Sequence, residues 1–191
     1  MLHVTTLLHE HRTDIAGAIE LLKAGKRMSD ILEDFPTALV KYHRGLQYAG
    51  MLLAKPRDPA VAPTLEVFWG ASGTGKTRKA VADNTGAYLL TKPNGNGAVW
   101  FDGYEGQSCV ILDEFYGWVQ YDLLLRLLDR YPLKVQTKGG FVEMQATKFV
   151  ITSNKSWKEW YPNISEQSAL ERRFREFGTI THYNGPLAPP L

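Results

Sequence analysis

The chain has 191 residues, enough for one ordinary domain with a small helical appendage, and its hydrophobic content of 44% can supply a core. Its formal net charge at pH 7 is only +2, so it lacks the strongly basic composition of proteins that bind nucleic acid over much of their surface. Any contact with nucleic acid must therefore be local.

The composition also bears on the cellular compartment. The single cysteine, Cys109, cannot form an internal disulfide and lies in an apolar run, which favours a buried, reduced thiol in an intracellular protein. No run of about eighteen apolar residues is present, and residues 1–12 lack the apolar core of a signal peptide. We therefore expect a soluble, intracellular protein that is neither exported nor inserted in a membrane.

The first part of the chain has a helical pattern. Apolar residues recur largely at helical spacings between residues 13 and 53, which predicts three short helices. Gly25 can end the first helix, Ser29 can cap the second, and Phe35-Pro36 should break the chain before the third. Residues 1–54 are few for an independent core, so we expect this segment to pack on the main domain or on a neighbouring subunit.

A linker and an α/β domain follow the helical segment. Residues 55–63 contain Pro56, Pro59 and Pro63 and are predicted to form the linker. Between residues 64 and 185, short apolar runs alternate with helical segments, which is typical of an α/β domain. Residues 186–191 are rich in proline and are expected to form a disordered tail.

The predicted elements of the α/β domain can be given in chain order. They are the strand Leu65–Trp69, the helix Thr77–Asp83, the strand Tyr88–Leu90, the turn-rich stretch Lys92–Gly97, the strand Ser108–Leu112, the helix Tyr121–Arg130, the hairpin Leu133–Gln145 with its turn at Lys138-Gly139-Gly140, the strand Lys148–Thr152, the helix Ser168–Glu176 and the strand Thr179–Tyr183. The apolar run before Asp113 indicates a central strand buried on both faces, as in a parallel sheet.

The stretch directly after the first strand matches the phosphate-binding pattern G-x-x-x-x-G-K-[ST] at every fixed position. Its backbone N–H groups and the following helix N-terminus would bind phosphate oxygens. Lys76 would reach the β- and γ-phosphates of a nucleotide, and the Thr77 hydroxyl would form part of a Mg²⁺ shell. The predicted nucleotide-binding residues are Gly70, Ala71, Ser72, Gly73, Thr74, Gly75, Lys76 and Thr77.

Polar residues also follow two later strands. Asp113 and Glu114 terminate the central apolar strand, where Asp113 would hold Mg²⁺ and Glu114 would orient and polarise the attacking water. Asn154 follows the strand Lys148–Thr152, and its amide could hydrogen-bond the γ-phosphate or the water. The alternative for Asn154 is an ordinary turn or cap. Together with the phosphate loop, these residues favour nucleotide hydrolysis over binding alone.

Four basic residues are candidates for contacts with charged groups. Arg172 and Arg173 could stabilise negative charge on a transferring phosphoryl group, although such charge runs are usually solvated helix faces. Lys138 at the hairpin turn and Lys134 on the preceding strand could follow the phosphates of a single strand. A hairpin turn with a solvated lysine is the simpler alternative.

Several longer runs closely resemble the replication-initiator (Rep) proteins of circoviruses and related circular single-stranded DNA viruses. The resemblance covers about residues 13–183, and the runs that carry it are Trp100–Gly106, Ile111–Trp118, Leu127–Leu133, Thr137–Gly140 and Ile151–Asn154. In such proteins a rolling-circle nuclease precedes a superfamily 3 helicase, an AAA+ type phosphate-loop ATPase with a central parallel sheet. The resemblance implies that this chain is the helicase part and lacks the nuclease.

The resemblance also implies roles for particular segments and residues. Residues 1–54 would be the oligomerisation segment of a hexameric ring, Asn154 the sensor asparagine, and Lys138 part of the DNA-binding hairpin in the central channel. An arginine finger would come from the neighbouring subunit. Arg173, which directly precedes an apolar residue as the finger does in this superfamily, is the first choice and Arg172 the second. For a virus of eukaryotes, the implied location is the host nucleus.

These observations lead to one functional hypothesis and one main alternative. The hypothesis is an ATP-dependent, Mg²⁺-requiring DNA helicase that hydrolyses ATP between subunits and moves along single-stranded DNA. The alternative is a nucleic-acid-binding scaffold that uses ATP to assemble and does not unwind. A small-molecule kinase is a weaker third reading, because the sequence shows no signal for an acceptor pocket or lid.

Overall fold

The computed structural model describes residues 14–94 and 98–185. The chain divides into two compact units, one ending at Lys55 and one beginning at Pro56, which are called here the helical unit and the α/β unit. The predicted turn at residues 95–97 and the predicted tail at residues 186–191 lie outside the described residues. Among the described residues, no helix is both long enough and apolar enough to cross a membrane.

The helical unit contains the three predicted helices. Helix α1 covers residues 14–23, α2 is Met28–Asp34 and α3 is Pro36–Leu53. Their shared core consists of buried apolar side chains at helical spacings, namely Ala18, Leu22, Ile31 and Leu46. Helix α3 departs from helical geometry at Tyr42, where φ is −124° and ψ is 20°. The unit therefore has a small core of its own.

Two of the helix ends predicted for this unit agree with the structure, and one predicted cap does not. Gly25 has φ of +78° and follows the first helix, as a C-terminal glycine does. Pro36 is the first residue of α3, where its missing N–H has no partner to lose. The prediction of Ser29 as a cap is wrong, because α2 begins at Met28. There the Asp30 carboxylate accepts the Arg27 backbone N–H at 2.8 Å.

The α/β unit contains a parallel sheet, a hairpin and three helices among the described residues. Its elements are β1 (Thr64–Gly70), α4 (Lys76–Asp83), β2 (Tyr88–Leu90), β3 (Cys109–Leu112), α5 (Tyr121–Leu127), β4 (Lys134–Thr137), β5 (Gly140–Glu143), β6 (Lys148–Ser153), α6 (Ser168–Phe177) and β7 (Gly178–Tyr183), with a 3₁₀ helix at Trp157–Glu159. The five sheet strands run parallel in the order β2-β3-β6-β1-β7. The predicted α/β fold with a central parallel sheet is confirmed.

Alternation along the strands builds two apolar layers on opposite faces of this sheet. On β3, Val110 and Leu112 belong to the larger cluster, which also includes residues of α5 and α6. Cys109 and Ile111 belong to the smaller cluster with Ala80 of α4. All four residues of β3 are buried, as its apolar sequence predicts. Burial raises the pKa of the Cys109 thiol to about 11, so this group is an unreactive core residue.

Helix α5 ends at Leu127, three residues before the predicted end at Arg130. Two arginines distant in sequence donate hydrogen bonds to its last carbonyls. Arg57 donates to Leu127 O at 2.8 Å and to Arg126 O at 3.1 Å, and Arg173 Nε donates to Leu125 O at 3.0 Å. Cations at a helix C-terminus satisfy carbonyls that lack partners in the helix. Arg57 is only 5% exposed, so the predicted linker contains one firmly held side chain.

Arg173 is the central residue of this arrangement. Its guanidinium also donates to Ala169 O at 2.9 Å and to Asp129 Oδ2 at 2.6 Å, and its side chain is only 10% exposed. The neighbouring Arg172 is 52% exposed and lies 3.8 Å from Glu176. The two arginines therefore differ greatly in their contribution to the fold.

We expect Arg173→Ala to lower the free energy of unfolding by about 3–5 kcal/mol, because it leaves the Asp129 carboxylate without its cation. The matched variant Arg172→Ala should change it by about 0.5 kcal/mol or less, since its pair is exposed. Urea unfolding followed by tryptophan fluorescence measures both, because all five tryptophans lie in the α/β unit. Equal stability of the two variants would contradict this assignment.

Candidate functional site

The phosphate loop lies between the end of β1 and the start of α4. Gly75 has φ of +88° and immediately precedes α4, which begins at Lys76, one residue before the predicted start. Gly70 has φ of +140°, and a Cβ there would lie 2.3 Å from Tyr183 O of the neighbouring strand β7. Both positions therefore require glycine, because a side chain would be strained at Gly75 and would also collide at Gly70.

Lys76 is held inside this loop. It is 6% exposed, and its Nζ donates to Gly70 O at 2.9 Å and to Ala71 O at 2.7 Å. Burial lowers the pKa of Lys76, and the nearby Glu114 and Asp113 carboxylates partly oppose that effect. Two backbone carbonyls of the loop thus hold the Lys76 ammonium in place.

The Asp113 carboxylate joins three elements at the end of the sheet. Its Oδ1 accepts a hydrogen bond from the Thr77 hydroxyl of α4 at 2.7 Å and another from the Thr152 hydroxyl of β6 at 2.6 Å. Asp113 itself follows β3. Short bonds to a charged oxygen are among the stronger hydrogen bonds in proteins. The carboxylate therefore fixes the phosphate-loop helix relative to two neighbouring strands.

Glu114 is held in an unusual backbone conformation beside this cluster. Its φ is +47°, the only positive value for a non-glycine residue in the described part of the chain. Its N–H donates to Thr152 Oγ1 at 3.0 Å, and the next N–H, that of Phe115, donates to Thr152 O at 2.7 Å. Such a conformation costs about 1–3 kcal/mol and persists where surrounding bonds enforce it. Thr152 supplies these bonds.

An open pocket of about 250 Å³ lies at this end of the sheet. Asn154, exposed directly after β6, is on its wall together with Glu114, Lys76 and Thr77. The remaining lining residues are Ser72, Gly73, Gly75, Arg78, Thr152 and Ser153. The structure thus brings Lys76, Thr77, Glu114 and Asn154 to one pocket. Asp113 does not line the pocket but accepts a hydrogen bond from Thr77, which does.

The donor set can be tested against a metal ion. In the described ranges, no group of three or more His, Cys, Asp and Glu side chains could hold one. Mg²⁺, however, usually takes one or two protein oxygens and completes its shell with water and substrate phosphate. The Thr77 hydroxyl, which lines the pocket, and Asp113 Oδ1, 2.7 Å from it, are two protein oxygens that can serve as such metal ligands. These residues fit Mg²⁺ bound with a nucleotide.

The two candidate finger arginines differ in position. Arg173 is buried and held by Asp129, Leu125 O and Ala169 O of its own α/β unit. Arg172 is exposed beside Glu176. This geometry argues against the first choice made from sequence, because a guanidinium with three internal partners would have to leave all of them to reach another subunit.

The hairpin of β4 and β5 has a tighter turn than predicted. Thr137 pairs with Gly140, so the turn consists of Lys138 and Gly139. The Lys138 side chain is 77% exposed, with Nζ 3.6 Å from Asp102 Oδ2. Lys134 is 68% exposed, with Nζ 3.5 Å from Glu143 Oε1. Both predicted DNA-binding lysines are therefore accessible, and each lies close to a carboxylate.

Sequence reasoning missed two residues that hold these sites together. The sequence predicts only a strand position for Thr152, although its hydroxyl contacts both Asp113 and the Glu114 N–H. It predicts no role for Asp102, although this residue contacts the hairpin turn. A hydroxyl near the end of a strand was the available signal for Thr152. Asp102 had no such signal, because its contact depends on the tertiary fold.

Comparison with known proteins agrees with this geometry. The model of the family described as RNA helicase matches residues 67–155, which include the phosphate loop, Asp113, Glu114 and Asn154. The chain is 41% identical over 169 residues to the replication-associated protein of canary circovirus, covering 87% of this chain and 56% of that protein. It is 39% identical over 159 residues to that of beak and feather disease virus, covering 83% and 53%.

The replication-associated protein of porcine circovirus 2 is 37% identical over 174 residues, covering 90% of this chain and 54% of that protein. The chain thus spans about half the length of the curated relatives it matches. The shared identity extends over most of this chain, beyond the residues that the family model matches. The chain is therefore similar over most of its length to the replication-associated proteins of circoviruses, and its residues 67–155 match the family model described as RNA helicase.

Proposed function

We propose that the chain is the ATP-dependent DNA helicase of a viral rolling-circle replication initiator. The observation that carries the proposal is the hydrogen-bonded cluster of Thr77, Asp113 and Thr152 beside Lys76, Glu114 and Asn154. This arrangement combines groups that bind a triphosphate with groups that can activate water. The relatives, which are named replication-associated proteins, support DNA replication as the process.

The side chains of the pocket have separate roles in this proposal. Lys76 binds the β- and γ-phosphates, and the backbone of residues 70–77 surrounds them. Glu114 orients the attacking water and accepts its proton, because its carboxylate lines the pocket. Asn154 donates its amide N–H to the γ-phosphate or positions the water.

Mg²⁺, held by Thr77 and Asp113, would neutralise charge that develops on the phosphate oxygens. Thr152 keeps the Asp113 carboxylate in place through its hydroxyl. Thr152 also holds the strained Glu114 backbone, so the metal ligand and the base are positioned by one residue. The two carboxylates can therefore act on the same phosphate from fixed positions.

The site is completed by a neighbouring subunit in this proposal, in a ring that we infer to be hexameric. We infer that Arg172 acts as the arginine finger, because it is exposed and, within residues 14–94 and 98–185, its one ion pair is the surface pair with Glu176. Arg173 then supports the finger helix α6 from within, through Asp129. The helical segment of residues 1–54 provides oligomerisation contacts, and the host nucleus is the inferred place of action.

Energy from hydrolysis reaches single-stranded DNA through the β4–β5 hairpin. Lys138 lies at its tip and Lys134 on the same hairpin, where each ammonium can bind a backbone phosphate. Repeated around a ring, these hairpins would follow one strand through the centre. The protein remains near neutral overall, with a net charge of +2, so binding depends on this local positive charge.

Glu114→Gln should retain ATP binding but lower ATP turnover by about 100-fold or more and abolish strand separation, because the general base is lost. Lys76→Ala should lose ATP binding as well. Both are measured by phosphate release, nucleotide binding and unwinding of a forked DNA duplex.

An exposed acidic variant outside both the pocket and the proposed oligomerisation segment, Asp122→Asn, controls for preparation effects. Unaltered turnover in Lys76→Ala would refute the ATPase assignment. ATP binding without any unwinding by the unsubstituted protein would favour the assembly scaffold instead, and unwinding of RNA alone would refute DNA as the substrate.

Arg172→Ala should lower ATP turnover by about 1,000-fold without loss of ATP binding, as removal of a finger does in related chemistry. Mixing it with Lys76→Ala should restore part of the activity, because an interface then pairs an intact phosphate loop with an intact Arg172. Arg175→Ala, another exposed arginine of α6, is the matched control. An active Arg172→Ala, together with a folded but inactive Arg173→Lys, would assign the finger to Arg173.

Lys138→Ala should weaken binding to single-stranded DNA of any sequence and reduce the slope of log affinity against log salt concentration by about 0.7, since one phosphate contact is lost. Fluorescence anisotropy with a labelled oligothymidylate measures both quantities. Lys158→Ala removes an exposed lysine outside the hairpin and should change neither. Equal effects of the two variants would contradict a specific role of the hairpin.

A further inference from the structure

We propose that Asp102 is a positioning residue for Lys138, and that its carboxylate competes with DNA phosphate for the Lys138 ammonium. The inference deepens the proposed function and rests on it, because it assumes that Lys138 binds DNA. In this inference Asp102 holds the hairpin tip in its observed shape and reduces the positive charge that Lys138 presents to DNA.

Asp102 makes two different contacts with the same residue. Its Oδ1 accepts the Lys138 backbone N–H at 2.7 Å, and its Oδ2 lies 3.6 Å from Lys138 Nζ. The first contact fixes the backbone of Lys138, the first of the two turn residues. The second turn residue, Gly139, and the first residue of β5, Gly140, have φ of +126° and +154°. Such glycines leave the turn many alternative conformations, so an external acceptor has a clear effect on its shape.

The backbone of Asp102 is itself held on two sides. The preceding N–H, that of Phe101, donates to Gln136 O of β4 at 2.8 Å, and the Phe101 ring is buried. The hydroxyl of Tyr88, the first residue of β2, donates to Asp102 O at 2.9 Å. The carboxylate is therefore presented to the turn from a segment fixed to both the hairpin and the central sheet.

The second contact affects the charge available to DNA. Lys138 is 77% exposed and the Asp102 side chain 42%, so water and salt screen the pair and it is easily exchanged. The negative charge of Asp102 beside the ammonium opposes the binding of a phosphate to Nζ, while the backbone bond to Oδ1 can remain. Asp102 would thus weaken DNA binding through its charge and support it through the turn.

These two effects can be separated by substitution. Asp102→Asn keeps an oxygen that can accept the Lys138 N–H but removes the negative charge, whereas Asp102→Ala removes both. We expect Asp102→Asn to bind labelled oligothymidylate about two- to five-fold more tightly than the unsubstituted chain, which is the range of an exposed ion pair. Asp102→Ala should bind more weakly than Asp102→Asn.

Fluorescence anisotropy on the whole 191-residue chain at fixed salt tests this, with each substitution repeated in a Lys138→Ala background. The gain from Asp102→Asn should disappear there, because the ammonium that it releases is absent. Asp58→Asn is the matched control. Asp58 also accepts a backbone N–H, from Ala60 at 2.8 Å, but lies outside the hairpin, so its substitution should leave affinity unchanged.

Each outcome bears on the inference. An equal gain from Asp102→Asn in the Lys138→Ala background would show a diffuse charge effect and overturn the pairing. Equal affinities of Asp102→Asn and Asp102→Ala would overturn the positioning role. If Lys138→Ala weakens binding but Asp102→Asn does not tighten it, only this inference fails. If Lys138→Ala leaves binding unchanged, the proposed role of the hairpin fails first and this inference with it.

Discussion

One carboxylate oxygen connects the elements that form the candidate site. Asp113 Oδ1 accepts hydrogen bonds from the hydroxyls of Thr77 in α4 and Thr152 in β6, while Asp113 itself directly follows β3. The contact is possible because β3 and β6 are parallel neighbours, so their carboxyl ends meet at one edge of the sheet. Without these hydrogen bonds, the acidic residue after β3 and the phosphate loop would still be neighbours, but the distance between them would not be fixed.

The Asp113 carboxylate also takes part in the balance of charge at this edge. Lys76 is buried and therefore loses hydration, and the Asp113 and Glu114 carboxylates offset part of that loss. Thr152 meanwhile holds the positive-φ backbone of Glu114 in place. The positive-φ backbone of Glu114 and the desolvated ammonium of Lys76 are each unfavourable. The hydrogen bonds to Thr152 offset the first cost, and the two nearby carboxylates offset part of the second. Their common position is what suits the pocket to a charged ligand.

The success of sequence reasoning here depended on whether a feature was local. The phosphate loop, the buried strand β3 and the parallel sheet follow from short patterns, and the structure contains all of them. The end of α5 could not be predicted, because it depends on Arg57 and Arg173, which arrive from distant segments. The partners of Arg173 are also a tertiary effect, since Asp129 and Leu125 O come from a segment more than forty residues away. The contact of Asp102 with the hairpin turn depends on the tertiary fold in the same way.

The distribution of charge on the hairpin has a further consequence for the proposed motor. Both of its lysines lie within 4 Å of a carboxylate, Lys138 near Asp102 and Lys134 near Glu143. The hairpin is thus accessible but close to electrically balanced, in keeping with the small net charge of the chain. Phosphate must compete with these acids for each ammonium, so a single contact is weak and sensitive to salt. Weak, exchangeable contacts suit a proposed motor that has to release each phosphate before it binds the next one.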